Sequence, residues 1–261
     1  MSPNSHPAVQ TAVSALEKAV NGLAESFNST TVSIGAKSPH EEASLVDLHN
    51  TPPVLDPRGA SEINASAVYR IGSVYKVSTM LATLRACGVR MYILPLNFWD
   101  NFEKREPVFA TSTSPLYSNI AFLVLSLVVE SASKIPFSDV VQKHILNPAS
   151  ISSTTYTKPD DKAGAISLDD YNIELDSENH GSPRRQYSNT KELLLKPVTF
   201  ASSARMFIGS SWEIIRADNI TSDERLVEFY PKGGDGDTYH AMLGLVPDYD
   251  LVIGILTSGP E

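Results

Sequence analysis

The sequence contains a single cysteine, Cys87. An intrachain disulfide and a cysteine-based metal site are both excluded, and Cys87, in an apolar stretch, reads as a small buried hydrophobe. A basic stripe is missing too. Lys and Arg number 21 against 30 Asp and Glu, a net charge of −9, with the acids spread rather than run together. That balance argues against a nucleic-acid partner and otherwise serves solubility. There is no long hydrophobic run. The longest, Ile120–Val129, is too short to cross a bilayer, so no membrane partner is expected. Met1–Pro7 is polar and no apolar segment follows it. No signal peptide is visible, and a cytoplasmic location is the default expectation. No repeat, no low-complexity tract, no G-x-S-x-G elbow and no H-E-x-x-H pair occurs. The stretch Gly233-Gly234-Asp235-Gly236-Asp237 lacks the G-K-S/T of a phosphate loop, and its acids would repel a phosphate.

What is present is enough apolar residue, 42% of 261, to bury a sizeable core in one large domain or two interleaved ones. The informative stretch is Tyr69-Arg70-Ile71-Gly72-Ser73-Val74-Tyr75-Lys76. Val77, Met80, Leu81 and Leu84 recur at helical spacing after it, with Gly88 as a C-cap. Ser73 therefore stands at the mouth of a helix, with Lys76 one turn on along the same face. A serine hydroxyl is a weak nucleophile until a base takes its proton, and this spacing brings an amine to it. S-x-x-K alone means little: it also occurs at Ser131–Lys134 and Ser188–Lys191, in a helix tail and a polar loop. A serine at a helix start is ordinarily an N-cap.

Around this stretch the pattern is strand, strand, helices, strands. Pro7–Ser26 reads as an amphipathic helix. Strands are expected at Thr31–Ala36 and Ala43–Leu48, before the Pro52-Pro53 break. Met91–Phe102 is aromatic and irregular, and Glu106–Pro115 is a loop. Helices are expected at Ile120–Ser131 and Phe137–Leu146, the second stopped by Pro148. Thr157–Arg185 is a long polar excursion, and Lys191–Leu195 makes a short helical turn at most. Strands follow at Phe207–Arg216, Glu228–Gly234, Thr238–Val246 and Leu251–Thr257, the last two joined by the turn Pro247–Asp250.

Two further motifs fall into this order. Tyr117-Ser118-Asn119 precedes an apolar helix, and Lys232-Gly233-Gly234 ends a strand. With Ser73-x-x-Lys76, they make the chain resemble the serine β-lactamase and penicillin-binding-protein superfamily. The likeness is to class C β-lactamases, related esterases and transesterases, and the β-lactamase-like proteins of filamentous fungi. It runs through Val68–Thr79, Pro107–Ala121, Trp212–Ile214 and Tyr239–Leu256, with Leu195–Thr199 similar to a fungal-family segment. The resemblance implies an α/β (α+β) fold, an antiparallel sheet flanked by helices. It implies a sheet domain of 1–72 with 186–261 and a reduced helical part, 73–185. Thr31–Ala36 should lie beside the Thr238–Thr257 strand pair.

For the site, the resemblance implies that Ser73 attacks an acyl carbonyl while Lys76 and Tyr117 share the proton work. Asn119 would hydrogen-bond Lys76 or the substrate, and Lys232, with Lys76, would favour the Tyr117 phenolate and help bind substrate. The N–H of Ser73 would pair with that of Asp235, just after Gly233-Gly234, as an oxyanion hole. No cofactor or metal is implied, and the partner is a small-molecule ester, amide or lactam.

The chain also departs from that pattern. Ser73 and Tyr117 are 44 positions apart (117 − 73), where the resemblance implies a much longer interval. The stretch after Tyr187-Ser188-Asn189-Thr190 looks cut. The sequence ends just beyond the final strand, where a covering helix would be expected, so apolar surface should be exposed beside Leu251–Leu256. K-G-G lacks the hydroxyl of K-T-G that would meet a substrate carboxylate. An active serine hydrolase or acyltransferase, a degenerate binding relative and a partner-dependent structural protein are the three readings left.

Overall fold

The computed structural model describes residues 3–86, 104, 106–110, 113–156, 158–168, 195–201 and 203–260. The expectations for Cys87, Gly88, Met91–Phe102, Tyr187–Thr190 and most of Thr157–Arg185 lie outside these residues. Two compact units divide the chain. The first comprises Met1–Tyr75, Ser153–Gly181 and Glu213–Glu261; the second comprises Lys76–Ser152 and Ser182–Trp212.

The first unit is an antiparallel sheet with one long helix. Helix α1 is Pro7–Ala24, with Pro at its first position and the His6 ring accepting from the Ala8 N–H. Strand β1 is Thr31–Lys37, β2 Val46–Asn50, β5 Glu213–Ala217, β6 Val227–Gly236, β7 Tyr239–Val246 and β8 Leu251–Ser258. Within this unit the strands lie in the order β2-β1-β8-β7-β6-β5. The two chain ends share one sheet as expected: Val32 pairs with Thr257 and Ile34 with Ile255. β2 begins three residues later than the alternation suggested. The Leu45 N–H closes onto the Ala36 carbonyl, and the Ala36–Val46 pair then sets the register. Between β7 and β8 the Pro247–Asp250 turn forms as read, with Asp250 at φ 48.

Residues 153–168 were grouped with the helical part in the sequence reading, yet they pack in the sheet unit. A parallel bridge joins Val68 to Gly164, flanked by Val68 N–H to Ala163 O and Ala165 N–H to Val68 O, 2.8 and 2.9 Å. Beneath this bridge Tyr69, Ile63 and Ala165 form a buried cluster, with Leu256 and Leu55 against it.

The second unit holds α2 from Lys76 on (Tyr75–Ala86), α3 (Asn119–Ser133), α4 (Phe137–Val141) and the hairpin β3 (Pro197–Phe200) with β4 (Met206–Gly209). Lys134 ends α3 at φ 62, and Glu130 reaches past it to accept from the Phe137 N–H at the start of α4. The second S-x-x-K pair is thus a helix terminus. A π-turn, Gln142–Leu146, follows α4. Val129, Val141, Ile145 and Leu146 are almost completely buried, at about 1.5–3 kcal/mol each. The single strand read at Phe207–Arg216 is in fact two. Gly209-Ser210-Ser211 turns the chain, with Ser211 at φ 72 and the Gly209 N–H donating to Trp212 O. That turn was not recognised because Gly-Ser-Ser interrupts an apolar alternation without a proline.

Leu251–Thr257 is half-buried throughout rather than bare, because β8 lies between β1 and β7 and borrows cover from both.

On the sheet, Arg216 Nε and the Tyr230 hydroxyl both donate to Glu228, at 2.9 and 2.7 Å. The Tyr230 bond, with help from Arg216, holds the Glu228 carboxyl below its usual range. Burial, and then Glu228, pushes the Tyr230 phenol up; burial also pushes up Tyr69. Tyrosines in the unfolded chain ionise near pH ~10, while these two stay protonated in the fold. Stability should be unaffected by them below that pH and fall above it, where the unfolded state binds fewer protons. At the acid end the Glu228 contribution is present above about pH 4.3 and is lost as pH falls through its depressed value. Thermal melts should show a shallower alkaline fall for Tyr230→Phe, and a loss near neutrality of about 1 kcal/mol from the missing bond. An alkaline limb identical to wild type would rule out this role for Tyr230.

Candidate active site

In the first unit the site is built where a turn meets a strand. Gly72–Val74 forms a single 3-10 turn leading into α2, with the Val74 N–H donating to Ile71 O at 3.2 Å. Gly72 has φ +46, a conformation that costs a side-chain-bearing residue but not glycine. A Cβ on Gly72 would come within 2.8 Å of Asp235 N and O. From the other side, a Cβ on Gly234 would collide with Ile71 O and come within 2.8 Å of Ser73 N and 2.9 Å of Val74 N. The backbones of Ile71–Val74 and Gly234–Asp235 therefore touch, and only glycine at both places allows it. Ser73 and Asp235 present their amides on the two sides of this contact.

Lys232 lies two residues before Gly234 on β6, paired with Leu243. It is 7% exposed, and its ammonium donates to Gly233 O at 2.7 Å. Gly233 is exposed, and a Cβ there would meet nothing within 4 Å. Across the hairpin the Asp235 carboxylate pairs with His240 Nδ1 at 2.8 Å, both well exposed. The strand end thus carries a buried cation, an open glycine and a solvated acid, in that order.

In the second unit Lys76 is 1% exposed. Its ammonium lies 5.0 Å from the centre of the Tyr117 ring and 5.7 Å from that of Phe122. Cation–π attraction of this kind is worth about 2 kcal/mol once desolvated. Tyr117 itself is 61% exposed. Ser118 caps α3, accepting from the Ala121 N–H at 3.1 Å, and Asn119 is the exposed first residue of that helix. The cap explains why a serine separates Tyr117 from Asn119.

The structure therefore brings Ser73 together with Lys232–Asp235, and Lys76 together with Tyr117. Sequence reasoning missed Gly72 and Phe122. A glycine directly before a helix-start serine was the available signal for the first. Phe122 could not be told from the apolar residues around it. Among the described residues, no group of three or more His, Cys, Asp or Glu is arranged to hold a metal ion.

Known proteins share features with this chain at the level of sequence and fold. The beta-lactamase family model matches residues 91–167. A "Beta-lactamase-like protein" of Arthroderma benhamiae is 20% identical over 178 residues, 59% of this chain and 30% of that protein. "Probable hydrolase clz13" of Cochliobolus lunatus is 22% identical, over 54% of this chain and 26% of its own length. "Probable hydrolase M10" of a Phoma species is 21% identical, over 54% and 27%. The chain thus spans less than a third of the length of these curated relatives. Among solved structures, a class C β-lactamase superposes with a TM-score of 0.72 at 12% identity, covering 98% of this chain and 94% of that one. A mutant class C β-lactamase gives 0.67 at 12%, covering 97% and 93%. These last two establish the fold, an antiparallel sheet flanked by helices. The family match and the fungal relatives are similarities to β-lactamase-like hydrolases over part of this chain.

Proposed function

We propose that the chain is a serine hydrolase or acyltransferase that works through an acyl-serine on Ser73, taking a small ester, amide or lactam of the kind handled in fungal secondary metabolism. The observation that carries this reading is the glycine-mediated contact of Ser73 with Gly234–Asp235. A nucleophile at a helix mouth, with a second backbone amide held beside its own, has the donors that a developing oxyanion requires. Ser73 Oγ attacks the carbonyl carbon, and its proton passes to the base formed by Lys76 and Tyr117. The tetrahedral oxyanion is received by the Ser73 and Asp235 N–H groups. Collapse breaks the bond to the leaving group, which takes the proton, and leaves the acyl-serine for water or an alcohol to resolve. Lys232 keeps positive charge under the strand end, and Asn119 offers an amide to the substrate. K-G-G in place of K-T-G disfavours substrates anchored by a carboxylate.

A fluorophosphonate probe followed by intact mass tests this. Wild type should gain one probe mass on Ser73. Ser73→Ala should abolish labelling with the fold intact, and Lys76→Ala should cost a similar factor, because residues acting as a unit are not additive. Tyr117→Phe should slow labelling by less, about 10²–10⁴-fold. No adduct, or an adduct elsewhere, would leave the non-catalytic binding reading standing.

The two neighbouring glycines provide an internal control. Gly234→Ala forces β6 away from Ser73 and should cut the labelling rate by about 10²-fold or more, the usual value of an oxyanion donor. Gly233→Ala, facing open space, should leave the rate near wild type. Equal effects from both would refute the contact as the source of activity. Gly233→Thr restores the K-T-G hydroxyl and should speed reaction with a fluorescent penicillin relative to an uncharged ester. An unchanged ratio would show that the missing hydroxyl does not set substrate choice.

A further inference from the structure

Away from the site just described, a chain of hydrogen bonds runs from the surface into the sheet core. Asp47 Oδ1 lies 3.0 Å from His49 Nε2. His49 Nδ1 lies 2.9 Å from Ser33 Oγ, and Ser33 Oγ lies 3.0 Å from the Tyr69 hydroxyl. The Thr31 hydroxyl also acts on the Tyr69 phenol, lowering its pKa, and donates to Ser258 O at 3.3 Å. The strands account for the alignment: Ser33 pairs with His49 across β1–β2, and Thr31 pairs with Ser258 across β1–β8. Ser33, Thr31, Tyr69 and Ser258 are all buried, whereas the His49 side chain is 19% exposed and Asp47 61%.

Asp, His and Ser in a hydrogen-bonded row have the composition of a hydrolase triad. Ser33 is nevertheless no nucleophile: it is 7% exposed and wedged between His49 and the Tyr69 phenol. The row does something else, which follows from counting protons. An ionised carboxylate only accepts, so neutral His49 donates Nε2–H to Asp47 and its Nδ1 must accept. Ser33 then donates to His49, and Tyr69 donates to Ser33. When His49 takes up a proton, both ring nitrogens donate. Ser33 must now accept from His49 and donate to Tyr69, Tyr69 donates to Thr31, and Thr31 donates to Ser258 O. Every group is satisfied in both states, and only the direction of the chain differs. In the protonated state the first bond is charge-assisted, hence shorter and stronger.

Tyr69 stands four residues before Ser73, in the buried cluster that seats this segment on the sheet. On the reading that Ser73 is the nucleophile, we propose that His49 is a positioning residue. Its protonation reverses the Ser33–Tyr69 hydrogen bond and tightens the hold on the segment that carries Ser73. Histidine is the side chain type suited to such a change of charge. The titratable groups joined to it are Asp47 on its own strand and Tyr69 through Ser33.

The test follows the ring and the phenol separately from activity. In protein labelled with carbon-13 at tyrosine Cζ and histidine Cε1, the Tyr69 resonance, assigned by its loss in Tyr69→Phe, should shift with the same midpoint as His49. The shift should vanish in His49→Gln. If that variant fails to fold, coincidence of the two midpoints in wild type decides alone. A Tyr69 resonance that stays flat through the His49 midpoint overturns the proposal. With the fluorophosphonate probe, the ratio of wild-type to His49→Gln labelling rate should rise as pH falls through that midpoint. A constant ratio overturns the positioning role. A Tyr69 signal that titrates with His49 in a protein that never labels supports the relay and overturns the nucleophile reading instead.

Discussion

Backbone against backbone, at Gly234 and the Ile71–Val74 turn, is the contact on which the site depends. Side chains cannot stand between two such segments, so Gly72 and Gly234 are both required. Everything that positions β6 then positions Ser73. β6 lies between β5 and β7, paired along Tyr230–Gly236 with Leu245–Tyr239. The ladder fixes where Asp235 N falls, and the positive φ of Gly72 fixes how the turn meets it. Two amides fixed this way need no reorganisation to receive a negative charge.

Two lysines, one in each unit, are buried, which is costly for a cation unless something compensates it. The compensations differ. Lys232 is tied to a carbonyl of its own strand, Gly233 O, and Lys76 is set against the faces of Tyr117 and Phe122. Neither arrangement maximises stability in the way a leucine at the same place would. Lys76 belongs to the S-x-x-K motif and Lys232 to K-G-G.

Much of the fold was readable because its signals are local. Alternation marked β1, β7 and β8; the Pro-Asp-Tyr-Asp turn marked their connection; apolar periodicity marked α1, α2 and α3. The errors lie where local pattern competes with pairing. β2 moved because the Ala36–Val46 register, and not the composition of Ala43–Leu48, decides where the ladder begins. Phe207–Arg216 split because a Gly-Ser-Ser turn lies inside an apolar alternation. Residues 153–168 left the helical part because a bridge at Val68–Gly164 recruits them to the sheet unit, and no periodicity announces such a bridge.

The site divides along the same line. Spacing along one helix is a property of the chain, so Ser73 and Lys76 could be named from the sequence, as could Tyr117 before a capped helix and Lys232 before two glycines. The chemistry open to them was also legible, since it belongs to residue type. What the sequence could not supply were contacts between segments far apart in number: Gly234 against Ser73, Phe122 beside Lys76, and Ser33 joining His49 to Tyr69. Each arises because strand pairing and packing bring backbones or rings within a few ångströms, and that closeness depends on register and on the absence of a Cβ. The sequence alone therefore determined which groups could react. Tertiary structure decided which amide stands beside Ser73, and which side chains join Tyr69 to the sheet.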